Sequence, residues 1–153
     1  MPETYDLLLR GARVLDPSQG LDDTVDVAVH NGCIAAVGRD LQGEARQLID
    51  LAGRLLTPGW IDIHSHIYAG ATTWGVHADA VCLATGVTTI VDAGSPGWAN
   101  LPGFIDYVAT VYRTRVLTFV HVSGIGLTHG PIGECEDIRY ADPERTAAAI
   151  ECW

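Results

Sequence analysis

Apolar and polar positions alternate with a period of two over the first third of the chain. Val25, Val27 and Val29 interleave with Asp26 and Ala28, the spacing of a strand with one buried face. Asn31-Gly32 follows, and both residues tolerate the positive φ that a two-residue hairpin turn demands. Cys33 to Val37 then reads as the returning strand, ended by Gly38. Tyr5 to Leu15 is a further strand candidate, broken by Gly11 and closed by Asp16-Pro17. Leu48 to Leu51 is a short strand before a turn at Ala52-Gly53-Arg54. Residues 1–56 are therefore predicted to form a small, mostly antiparallel β unit.

The pattern changes at Thr57-Pro58-Gly59. Apolar strands now alternate with stretches of helical period, which predicts βαβ units and a parallel sheet over residues 57–153. Trp60 to His64 is the first strand, and Val76 to Thr85 a helix ended by Gly86. Val87 to Asp92 is β-branched and reads as a buried strand. Gly103 to Tyr112 is the next helix, with Phe104, Val108 and Tyr112 on one face. Arg115 to Val122 is the third strand. Asp142-Pro143-Glu144 then opens a helix, with Asp as N-cap, Pro at the first helical position and an acid in the first turn.

Composition narrows the partners. The chain has 153 residues and a net charge of −10, and its nine basic residues are all arginine. That balance lacks the basic stripe of a nucleic-acid binder and opposes docking on an anionic membrane. No apolar run approaches the ~20 residues of a membrane span. Met1 to Asp6 lacks the layout of a signal peptide. Cys33, Cys82, Cys135 and Cys152 show no paired spacing, so buried free thiols in a reducing cytoplasm are expected.

Candidate chemistry centres on His64-Ser65-His66. Residues two apart on a strand share a face, so two imidazoles can address one metal ion while the serine points away. They stand at the C-terminal end of a strand, where parallel α/β folds place their sites. Asp62 has the same parity one layer deeper, where it can bond a ring N–H or its neighbours and fix orientation. Ser95 and His129, in loops after strands, His121, near the end of the third strand, and Tyr68 are candidate substrate contacts. His77 opens a helix, His30 belongs to a hairpin turn, and Glu134 and Asp137 read as a solvated acidic loop. Gly124-Ile125-Gly126 lacks the third glycine and the helix onset of a dinucleotide fingerprint.

Pro58-Gly59-Trp60-Ile61-Asp62-Ile63-His64-Ser65-His66 resembles the first barrel strand of the amidohydrolase superfamily, Pro-Gly-x-aliphatic-Asp-x-His-x-His. Asp6 to Pro17 resembles the opening strand of these enzymes, and Val25 to Gly38 their next hairpin. Asp50 to Leu56 is similar to the run into the barrel, and Gly86 to Ser95 to the second barrel strand. With Thr114 to Leu117 and Ile138 to Asp142, the chain looks nearest the deacetylase branch beside the dihydroorotases.

The resemblance implies an α/β fold: part of a small β-sandwich in residues 1–56, then the first three βα units of a (β/α)8 barrel in 57–153. It implies a hydrolase of C–N or ester bonds that uses one or two divalent metals such as Zn2+. In such enzymes a metal-bound hydroxide attacks a carbonyl carbon. His64 and His66 match the first two ligands. A carboxylated lysine, two histidines and an aspartate that is also the general acid/base belong to later strands, and no residue here matches them. Dihydroorotases read His-x-His-x-Arg, where the arginine pairs with the substrate carboxylate. Tyr68 stands at that position, forms no bidentate ion pair, and disfavours that activity.

A complete barrel takes about 250 residues. Three readings follow: the N-terminal part of an amidohydrolase, inactive alone; half of a split enzyme closed by a complementing C-terminal polypeptide; or a non-catalytic module pairing its free strand edge. A homo-oligomer is also compatible with the sequence. Two histidines fall short of the three protein ligands of a catalytic zinc site, so the chain is expected to bind zinc weakly.

Overall fold

A computed structural model describes residues 4–128 and 135–153. The chain divides into two compact units, Met1–Pro58 and Gly59–Trp153.

The first unit holds β1 (Thr4–Asp16), β2 (Leu21–His30), β3 (Cys33–Gly38), β4 (Glu44–Asp50) and β5 (Leu55–Leu56). The sheet order is β3-β2-β1-β4, with β5 also on β1. Asn31 and Gly32 adopt φ of 51° and 73°, which joins β2 to β3 as an antiparallel hairpin. β4 and β5 run parallel to β1, so the unit is mixed, with the larger share of its pairing, β1–β2 and β2–β3, antiparallel. The chain leaves β3 through Asp40 (φ 52°) and Gly43 (φ 134°) and pairs on the far side of β1.

Gly11 does not break β1. It takes φ 68°, and the pairing with β2 slips between Leu9 and Ala12, a bulge that keeps the strand continuous. The Gly11 N–H freed there donates to Asp26 Oδ1 at 2.9 Å, and the Leu41 N–H donates to Oδ2 at 3.1 Å. Asp26 is thus buried, against the alternation that points it to solvent, because its carboxylate satisfies two backbone donors. Ala12, Val14, Val25 and Val27 form one apolar cluster and Tyr5, Leu8 and Ala28 another.

The second unit alternates strand and helix: β6 (Trp60–Ser65), α1 (Ala78–Cys82), β7 (Val87–Asp92), α2 (Leu101–Tyr107), β8 (Arg115–Thr118) and α3 (Pro143–Cys152). The strands are parallel in the order β6-β7-β8. Ile67, Ala78, Cys82, Ile90, Leu101 and Phe104 make the core beneath the helices. α1 passes into a 3-10 turn and stops at Gly86 (φ 78°), the left-handed residue that ends a helix. α3 is capped as its sequence predicts, with the Asp142 carboxylate accepting the Arg145 N–H at 2.9 Å.

Several boundaries move: β4 begins at Glu44 and not Leu48, and α2 ends at Tyr107 and not Tyr112, followed by a 3-10 turn at Ala109–Val111. α2 starts at Leu101, before Gly103, because Pro102 is accommodated in its first turn. β8 ends at Thr118 and not Val122. Beyond it the backbone follows the loop after β7: Phe119 donates to the Asp92 carbonyl and His121 to that of Pro96. Among the described residues, β6 and β8 each have a strand on one side only, and Ile61, Ile63 and Phe119 are exposed. Of the four cysteines Cys82 is buried, whereas Cys33, Cys135 and Cys152 are exposed, against the expectation of buried thiols. Cys33 opens the edge strand β3, and Cys152 lies on α3, which buries none of its residues. No described helix is long and apolar enough to cross a membrane.

Candidate metal centre

β6 delivers its histidines through a bulge. Asp62 pairs with Ile90 and Ser65 with Asp92, so three steps along β6 match two along β7. The extra residue interrupts the period of two, and parity no longer carries from Asp62 to the histidines. Of the two bonds open to it, the Asp62 carboxylate makes the one to a neighbour: it accepts the backbone N–H of His64 at 3.0 Å and pins the bulge. Its register partner Ile90 lies in the core with Cys82. The Cys82 thiol is pushed up by burial first and by the charge of Asp62 second.

The two imidazoles stand side by side, with ring centroids 5.7 Å apart and planes at 84°. His64 is exposed and His66 half-buried. His66 Nδ1 lies 3.0 Å from Ser95 Oγ. Ser95 is fully buried. Its own N–H donates to Asp92 Oδ1 at 2.6 Å, and Asp92 Oδ2 accepts the Ile67 N–H at 2.8 Å. Asp92, fully buried at the end of β7, thereby ties the segment after β6 to the loop after β7. Sequence reasoning passed over it; the available signal was a carboxylate closing an otherwise apolar, β-branched run. Trp74 stands beside His66 at 6.1 Å between ring centroids.

The other candidates are placed elsewhere. The ring of Tyr68, partly buried, packs edge-on against Phe104 at 5.2 Å beside the core under α2. His121 Nδ1 accepts the Ser123 N–H at 3.0 Å, a local bond that occupies that nitrogen. His77 precedes α1, with Nδ1 3.3 Å from the Tyr112 hydroxyl. His30 closes β2. His129 and Glu134 lie outside the described residues. Asp137 caps a 3-10 turn and pairs with Arg139, whose hydrogen bonds hold its carboxyl down to about 2.

With Nδ1 of His66 engaged by Ser95, Nε2 is the nitrogen left for a ligand role. Neutral imidazoles are good zinc donors. The pair fits a divalent metal as half of a donor set: no group of three or more His, Cys, Asp or Glu suited to a metal occurs among the described residues.

No family model matches the chain. A deacetylase of Agrobacterium fabrum is 40% identical over 125 residues, which cover 80% of this chain and 30% of that protein. A deacetylase of Brucella anthropi is 36% identical over 135 residues, 86% of this chain and 33% of the relative. The crystal structure of a dihydroorotase superposes with a TM-score of 0.84 at 32% identity, over 95% of this chain and 39% of that one. The chain belongs to the amidohydrolase superfamily. It corresponds to the N-terminal portion of these amidohydrolases and spans 30% and 33% of the two deacetylases. In this chain the β6 bulge, the two imidazoles and the buried Ser95–Asp92 pair form one connected cluster.

Proposed function

We infer that this chain supplies the first-strand half of a divalent-metal site in a hydrolase of amide bonds, with N-acyl compounds as the favoured substrates. The observation that carries this is the pair of adjacent imidazoles at the end of β6, one already anchored through Nδ1. The deacetylase relatives support the substrate class, since they match most of this chain. His64 and His66 would hold the ion. A zinc ion there supplies Lewis-acid polarisation of a carbonyl and acidifies bound water toward ~7. The remaining ligands come from barrel strands beyond β8, either continuous with this polypeptide or on a complementing one. The one-sided strands β6 and β8 and the exposed Ile61, Ile63 and Phe119 support that reading.

A dihydroorotase-type activity is the second reading, supported by the dihydroorotase superposition. Tyr68 weighs against it, because an uncharged ring packed on Phe104 offers a carboxylate no ion pair. The exposed free thiols of Cys33 and Cys152 suit a reducing compartment and support a cytoplasmic location.

The test is an assay of the 153-residue chain, with zinc, against N-acyl amino acids and dihydroorotate, alone and co-expressed with the remaining part of the Agrobacterium deacetylase. The chain alone is expected to be silent. Deacetylation by the co-expressed pair, lost on His64→Ala, supports the reading. Turnover of dihydroorotate but not of N-acyl substrates overturns the substrate assignment.

A further inference from the structure

We propose that Ser95 and Asp92 are the positioning residues of His66: Ser95 Oγ accepts the Nδ1 proton and Asp92 fixes Ser95, which leaves the Nε2 lone pair for a metal ion. This rests on the metal-pair reading of His64 and His66. Ser95 Oγ lies 3.0 Å from Nδ1 and is fully buried, so water does not compete for the bond. A histidine carries a proton on one nitrogen when neutral, and the partner of one nitrogen decides the state of the other. Engaging Nδ1 as donor therefore sets the Nε2 tautomer that ligates.

A lone serine hydroxyl on a loop would wander. This one does not, for three reasons. The Ser95 N–H is held by Asp92 Oδ1 at 2.6 Å. The other oxygen of Asp92 holds the Ile67 N–H at 2.8 Å, next to His66 itself. The Ser95 carbonyl accepts the Leu127 N–H at 2.9 Å. The same carboxylate thus grips the backbone on both sides of the Nδ1–Oγ contact. Asp62, the residue whose spacing suggested this part, spends its bond on the His64 backbone.

Long-range 15N–1H correlation NMR of the metal-free chain reads the tautomer directly. His66 is expected in the Nδ1–H form. Ser95→Ala is expected to shift it toward the Nε2–H form that free imidazole side chains prefer, and to weaken zinc binding about 10–100-fold, followed by titration with the metal alone. Ser95→Thr, which restores the hydroxyl, should recover the tautomer, and Asp92→Asn should shift it in the same direction as Ser95→Ala. Circular dichroism of each variant verifies the fold. His66 found as Nε2–H in the unsubstituted chain, or a tautomer unmoved by Ser95→Ala in a folded protein, overturns the proposal. A chain that shows the predicted tautomer but takes up no zinc supports the positioning and instead sinks the metal-pair reading.

Discussion

Asp79 and Thr114 are joined twice across 35 residues of chain: Asp79 Oδ1 accepts both the backbone N–H and the hydroxyl of Thr114, each at 2.9 Å. Oδ2 takes the Arg113 N–H at 3.0 Å. The carboxylate on α1 therefore fixes the start of β8. These bonds, the Thr114 N–H foremost, hold the Asp79 carboxyl below its ordinary range. A depressed carboxyl contributes stability above its unfolded value, about 3.9, and loses it as pH falls through the folded value. Asp137, held to about 2 by Arg139, acts in the same direction. Thermal melts should therefore be flat near neutrality and decline below about pH 4. Asp79→Ala should lower the melting temperature by several degrees at pH 7 and flatten that acid decline.

Zinc should perturb the ring resonances of His64 and His66 together. The double substitution His64→Ala, His66→Ala should abolish the perturbation and lower the melting temperature by a few degrees, because the fully buried Ser95 hydroxyl loses its His66 partner. A tight one-to-one zinc isotherm for the monomer would contradict a two-donor site.

Phe104 and Tyr107 lie on the same helix with opposite environments: Phe104 is fully buried against Tyr68, and Tyr107 is 79% exposed. Phe104→Ala should cost about 3–5 kcal/mol, enough to unfold much of the population. Tyr107→Ala should stay within about 0.5 kcal/mol. Urea titration of both variants checks the contrast.

Gly126 tests the Ser95 loop from behind. It sits at φ 57°, and a Cβ there would meet the Ser95 carbonyl at 2.2 Å. Gly20 has a similar φ of 64° with nothing within 4 Å of such a Cβ. Gly20→Ala should cost about 1–2 kcal/mol of backbone strain alone. Gly126→Ala should add about 1–3 kcal/mol of overpacking and move the His66 ring resonances, which Gly20→Ala should leave in place.

The sequence made the elements of both units legible because their signals are local. Asn31-Gly32 has one good conformation, and Asp142-Pro143 carries its own cap. What escaped it was decided by pairing. Gly11 reads as a break until a partner strand turns the irregularity into a bulge with Asp26 to receive its N–H. The spacing of Asp62, His64 and His66 reads as one face until the slip against β7 separates the aspartate from the rings. Ser95 and Asp92 were invisible as supports because their partners, Ile67 and His66, lie on another strand's end, a relation that no spacing along the chain encodes.

The one-sided strands β6 and β8 bear on how the chain behaves in concentrated solution. Backbone edges that are unpaired among the described residues, flanked by exposed Ile61, Ile63 and Phe119, are templates for like chains to add to. A net charge of −10 opposes that approach through mutual repulsion. The repulsion reaches about 10 Å at 0.1 M salt and about 3 Å at 1 M, whereas backbone pairing is indifferent to salt. Colloidal stability of this chain is therefore electrostatic, and salt is the variable that sets whether it stays dispersed.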